Sequence, residues 1–336
     1  MPMEAIEKKR VLVFLGFAFG IAWLISLAIF LTGGLANSPI IVPELNLSLA
    51  SVLMAVGLMW APGLANLLTR AITREGKADL RLRPATNENS GRYWLLAWVL
   101  PGILTILGAV LFFGLFPRFY DPNLGVIRDL VSQSQSAGQS VSLTPWLVVA
   151  VQALQALALA PILNALFTLG EEFGWRGYLL PKLMPLGPRR AVLLSGLIWG
   201  VWHWPVIAMG HNYGLDYPGH PWLGMVIMVV FCVGSGAILG WLTIKEGSIW
   251  PAVIGHAAIN GIAAIGLLAV RGTPSTLLGP TSVGLVGGTF FWLLAALLFI
   301  LPSAFKPGQA KPRWVSKPIE EAGDAAKSQT RSKDGA

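Results

Sequence analysis

The sequence predicts an all-α membrane protein of about eight transmembrane helices, with its N- and C-termini cytoplasmic. Three observations carry that prediction. Of 336 residues, 54% are hydrophobic and only 12% are charged, whereas charged residues make up about a quarter of a soluble domain. Apolar runs recur along the chain, and most are long enough to cross a hydrocarbon core of ~30 Å at ~1.5 Å per residue. Finally, 21 of the 24 Lys and Arg fall in segments that a single alternating assignment places on the cytoplasmic side of the membrane, and 3 fall on the outer side. That asymmetry follows the positive-inside rule.

In chain order, residues 1–10 end in Lys8, Lys9 and Arg10, and an apolar run follows from Val11 to Thr32. It is longer than the apolar core of a signal peptide and is read as a retained helix. Residues 34–48 carry no Lys or Arg, and a second span runs from Leu49 to Leu68. The basic loop 70–92 holds Arg70, Arg74, Lys77, Arg81, Arg83 and Arg92. A third span runs from Tyr93 to Leu115, and a Ser-, Gln- and Gly-containing linker occupies 116–143. The apolar stretch from Leu143 to Leu169 is too long for one straight span, and Pro161 is expected to kink or divide it. Further spans are expected at Ala191–Met209, Leu223–Ile244, Ile249–Val270 and Val283–Phe305. The polar tail 306–336 has the composition of a disordered segment.

Composition also excludes function classes. The net charge of +8 would suggest nucleic acid in a soluble protein, but here the basic residues sit at the ends of apolar runs, so the lipid bilayer is the expected partner and no nucleic acid is. The one cysteine, Cys232, precludes an internal disulfide and a thiolate-rich metal site and reads as a small core residue. No internal repeat supports a transporter built from duplicated halves.

Against this apolar background a few polar groups stand out. The segment from Gly170 to Pro181, GEEFGWRGYLLP, places Glu171, Glu172 and Arg176 directly after an apolar run. Ionisable groups at membrane depth are costly and mark functional sites. Glu172 and Arg176 are i and i+4, the favourable order for an ion pair, while Glu171 points about 100° away. His203 lies within IWGVWHWP of the fifth span, and His256 and Asn260 lie i and i+4 on one face of the seventh. Small residues such as Gly170, Gly174, Gly196, Gly200 and Gly255 would let these helices approach closely, with Trp175, Trp199, Trp202 and Trp204 as walls. His211 and His220 fall in the outer loop 210–221 and are expected to face solvent.

A carboxylate and an imidazole converging on a buried water form a general base. A histidine and an asparagine on one helix face can donate to a developing oxyanion. Together these suit hydrolysis of an acyl bond. The same Glu171, His203 and His256 are also the set that would ligate a divalent metal such as zinc, although no HExxH motif is present. No GxSxG motif suggests a serine hydrolase.

Glu171-Glu172-x-x-x-Arg176, Trp199-x-x-x-His203 and His256-x-x-x-Asn260 together resemble the CPBP family, the CAAX proteases and bacteriocin-processing enzymes, and in particular type II CAAX prenyl endopeptidases. Phe is common in that family where this chain has Trp199. The resemblance implies an intramembrane endopeptidase acting on a membrane-associated or prenylated peptide or protein. By residue, it implies Glu171 activating water with His203, His256 and Asn260 as oxyanion hole, and Glu172 and Arg176 in support. Both metal-dependent and metal-free mechanisms are argued for the family. The implied organisation is three N-terminal helices over 1–144, a CPBP-like core over 145–270, a last span in 271–305 and the cytoplasmic tail 306–336, in a bacterial cytoplasmic membrane. Two other classes fit the same residues: a non-catalytic scaffold or bacteriocin self-immunity protein on this fold, and a proton-coupled transporter using Glu171 and His203 as a relay.

Overall fold

The computed structural model describes residues 5–77, 79–84, 90–136 and 144–307. The tail expected to be disordered lies outside the described residues from 308 onward, as do 137–143 of the linker and 85–89 of the basic loop.

The chain is helical, as predicted. Helix α1 (Ala5–Leu31) leads to a short antiparallel hairpin, β1 (Ile40–Val42) and β2 (Leu47–Ser48), which the sequence did not announce. Helix α2 (Leu49–Val52) continues through a π-helical stretch, Leu53–Leu58, towards α3 (Ala61–Thr73). Then come α4 (Ser90–Leu115) and α5 (Gly125–Ser136). Helix α6 (Pro145–Ala158) begins on Thr144, whose hydroxyl accepts the Leu147 N–H at 3.3 Å. With Pro145 in the first turn, this is a strong helix start. Helix α7 (Ala160–Gly174) runs into a π-helical turn, Trp175–Leu179, and then α8 (Leu180–Leu183). The rest are α9 (Pro188–Trp202), α10 (Trp204–Ala208), α11 (Trp222–Glu246), α12 (Trp250–Ile262) and α13 (Thr289–Ile300). Gly247 closes α11 in the left-handed region at φ 78°, returning its N–H to Thr243 O, a conformation only glycine takes cheaply.

Among the described residues, five segments are long and apolar enough to cross a membrane: Glu7–Leu31, Leu49–Thr73, Gly91–Leu115, Trp222–Glu246 and Trp250–Ala269. The α6 and α7–α8 pair, bent by 45°, makes a sixth if taken as one span. Its break at Leu159 sets Pro161 in the first turn of α7, so the expected division is present. Two of the eight expected spans are shorter than the sequence suggests. The run 191–209 breaks at His203, because Pro205 lacks an N–H and its ring crowds the preceding turn. The run 283–305 is helical only over α13; Gly284, Gly287 and Gly288 instead fold into turns against residues 278–282.

Helix α11 is the hub, packing against α4, α9, α12 and α13. Gly196 and Gly200 of α9 bring it against the backbone of Val233 and Val229. Among the described residues Trp175, Trp202, Tyr178, Tyr213 and Phe14 are the bulkiest fully enclosed aromatic side chains. The large apolar residues left exposed, such as Leu24, Phe30, Leu154 and Val226, have lipid as their natural solvent. The loop 210–221 corrects one expectation: His211 and His220 are half-buried, because Tyr213 and Tyr217 fold the loop inward and the Tyr217 ring meets His220 at 5.2 Å.

Candidate functional site

Glu171 and Glu172 lie on the last turn of α7, where the helix changes to π geometry. The Trp175 N–H is shared between the carbonyls of Glu171 and Glu172, and the extra residue of the π turn re-aims the side chains that follow. Arg176, on that turn, reaches back to Glu172, Nη1 to Oε1, at 2.8 Å. The same Oε1 accepts from His256 Nδ1 of α12, also at 2.8 Å. All three groups are buried, and Glu172 is wholly inaccessible. Of the two donors on this oxygen, His256 ties the end of α7 to the middle of α12, and Arg176 braces it from the following turn. The second oxygen, Oε2, is buried with no hydrogen-bond partner.

Glu171 takes a different partner. Its Oε2 accepts the indole N–H of Trp199, on α9, at 2.7 Å. Trp199 is the pivot of the site. Its ring lies under the Arg176 guanidinium at 4.5 Å and edge-on to His256 at 5.2 Å. Its carbonyl accepts from His203 Nδ1 at 2.9 Å. Trp202 packs edge-on against the His203 ring at 4.8 Å, and Cys232 Sγ lies 3.8 Å from His203 Nδ1, fully buried as a core thiol.

The sequence-predicted residues are thus brought together in two linked groups. One is Glu172, Arg176 and His256. The other is Glu171, Trp199 and His203. Glu171 and His203 do not bond each other; they take opposite ends of Trp199. Glu171 is nevertheless close enough to His256, Glu172 and Arg176 to interact with them electrostatically. Both imidazoles donate from Nδ1, which leaves Nε2 of each as the atom free to handle a proton or a substrate oxygen. Asn260 is exposed one turn beyond His256.

Glu171, His203 and His256, the set that would hold a metal if one were present, do not form one cluster. Among the described residues no three His, Cys, Asp or Glu side chains are grouped so as to hold an ion. Glu171 gives one oxygen to Trp199, and His203 is turned to its own helix backbone. Among the described residues the arrangement does not fit a three-ligand zinc site.

Two contributors escaped the sequence reading. Thr168, one turn before Glu172, donates to Val253 O at 3.0 Å and registers α7 against α12. Asn66 of α3 donates to Phe173 O at 2.8 Å, immediately after the glutamates. An asparagine inside an apolar run is itself a signal, and Asn66 was visible as one.

Residues 144–262 match the model of the Rce1-like type II CAAX prenyl endopeptidases. The resemblance to the CPBP family holds over that core. All six site residues named from the sequence fall within it. A CAAX prenyl protease 2 from the archaeon Methanococcus maripaludis is 32% identical over 93 residues, which is 27% of this chain. The alignment spans 34% of that relative's length.

Proposed function

We propose that the protein is an intramembrane endopeptidase that cleaves a membrane-associated, CAAX-type peptide. The observation that carries the reading is the burial of two carboxylates and two histidines, from α7, α9 and α12, around one tryptophan. Glu171 has one oxygen held by Trp199 and the other left to take a proton from water. The water oxygen attacks the scissile carbonyl carbon, with His203 Nε2 as a second acceptor beside it. The tetrahedral oxyanion is met by His256 Nε2–H and the Asn260 amide. For His256 to donate from Nε2 while donating from Nδ1, the ring must carry both protons; Arg176, His256 and Glu172 then sum to one positive charge, which the oxyanion offsets. The proton held by Glu171 then passes to the leaving amine as the C–N bond breaks.

The family and the archaeal relative support a CAAX-type substrate, and the exposure of Asn260 suits entry from the lipid side. We place the protein in a prokaryotic cytoplasmic membrane, with both ends of the chain on the basic, cytoplasmic side. The test is cleavage of a farnesylated CAAX-type peptide by the full chain in lipid vesicles, followed by mass spectrometry. Glu171→Gln and His203→Ala are each expected to lower the rate by roughly a hundredfold or more, as for loss of a general base. Full activity in either variant refutes the mechanism.

A further inference from the structure

The glutamate pair lies where the hydrogen-bond ladder of α7 is least regular. The Trp175 N–H divides between two carbonyls, and the π turn begins immediately afterwards. A backbone at such a junction has no single helical phase imposed from within. Something outside α7 has to set the direction of Glu171 and Glu172.

Helix α3 is placed to do so, and it lies outside the segment that matches the family. The two helices touch backbone to backbone. A Cβ added to Gly170 would stand 2.6 Å from Met59 O and 2.8 Å from Trp60 Cα, and one added to Gly63 would stand 2.8 Å from Gly170 O. Gly174 abuts Pro62 in the same way. Between these contacts, Asn66 is wholly buried. Its Nδ2 donates to Phe173 O at 2.8 Å, and its Oδ1 accepts from Arg70 Nε at 2.7 Å. Arg70 is in turn anchored over the Tyr178 ring at 5.3 Å and reaches the carbonyls of Gly76 and Asp79 at 3.4 and 3.3 Å. The amide is therefore oriented by Arg70, and its donor end is aimed at the carbonyl of Phe173, the residue directly after Glu172.

We propose that Asn66 is a positioning residue, which fixes the backbone carrying Glu171 and Glu172 by its hydrogen bond to the Phe173 carbonyl. It touches no reacting atom. Its effect on rate rests on the peptidase reading; its effect on the geometry of Glu172 and His256 does not. Asn66→Asp separates the two ends of the amide. The aspartate still accepts from Arg70 but, when ionised, has no donor for Phe173 O. Asn66→Gln keeps the amide and carries it one methylene further.

Two measurements on the full chain in vesicles test the proposal. In the farnesylated-peptide assay, Asn66→Asp is expected to lower kcat roughly ten- to hundredfold, the scale of an ångström misplacement of catalytic groups, with KM within about twofold. Asn66→Gln is expected to be less affected. In 15N spectra of histidine-labelled protein, with His256 assigned by its own substitution, the Nδ1 resonance is expected to move in both variants, and further in Asn66→Asp. A His256 resonance at its wild-type position in both variants overturns the proposal, whatever the activity. So does wild-type kcat in both. If the wild-type chain cleaves no peptide, the peptidase reading fails and the resonance alone decides whether Asn66 positions the pair.

Discussion

Replacing Trp199 by Phe removes one atom group that matters and little else. The bond lost is the 2.7 Å indole N–H to Glu171 Oε2. The Trp199 carbonyl that holds His203 is backbone and survives. A phenyl ring still lies beneath Arg176, now 4.5 Å from the indole, with a cation–π attraction weaker by a fraction of about 1 kcal/mol. The smaller ring leaves a void beside His256 that costs on the order of 1 kcal/mol of stability. A hydrogen bond to a charged group is worth about 1.5–3 kcal/mol. If half of that is expressed only when Glu171 is held in its attacking orientation, kcat falls roughly 4- to 12-fold. Phe is common at this position in the resembling family, so the fold is expected to accept it. The assay is steady-state cleavage of the farnesylated peptide in vesicles, with thermal unfolding measured in parallel. The expected result is a reduced kcat, an unchanged KM and a small loss in Tm. A wild-type kcat would refute the view that Trp199 orients Glu171.

Two further predictions concern stability. Glu172→Ala leaves Arg176 buried with its counter-charge gone, and breaking one partner from a buried pair costs about 3–5 kcal/mol; a large fall in Tm is expected, against little change for Glu171→Gln, and equal melting of the two would contradict the pairing. Glu75 lies just beyond the second span. Burial pushes its carboxyl up, but hydrogen bonds from Lys182, Tyr178 and Thr73 outweigh that and hold it below the usual carboxylate range. Its contribution, on the order of 1 kcal/mol for a partly solvated cluster, is present above the unfolded carboxylate range and disappears as pH falls through the folded value. Wild type is thus expected to lose more Tm than Glu75→Gln as pH is lowered from neutral to below the ordinary carboxylate range, and parallel melting curves would show that the Lys182 and Tyr178 contacts contribute nothing.

What the sequence could reveal depends on how far a signal travels along the chain. Apolar runs and Pro161 act locally, so the spans and the break before α7 were legible. The Glu172–Arg176 pair was legible for the same reason, since i and i+4 share a helix face. The division of the fifth run was also encoded, in the His-Trp-Pro of 203–205, but a hydropathy window averages over a proline. The glycines that shorten the last run were masked likewise by their apolar neighbours.

The pairing of Glu172 with His256 is of another kind. These residues are 84 positions apart, and no periodicity relates them. The sequence reading placed His256 beside Asn260 because they share a helix face, and placed Glu171 with His203 because both looked reactive. In the structure a third party decides each partnership. Arg176 holds Glu172 where His256 can meet it, and Trp199 stands between Glu171 and His203. Spacing identifies which side chains a helix presents together. It does not identify which atoms remain unpaired once neighbouring helices have closed around them, and here those atoms include Glu172 Oε2, the second oxygen of Glu171 and the Nε2 of each histidine. The geometry of the site therefore depends on α3 and α9 as much as on the acidic motif. Asn66 illustrates this: from a helix outside the family-matched segment it holds the carbonyl of Phe173, the residue next to Glu172.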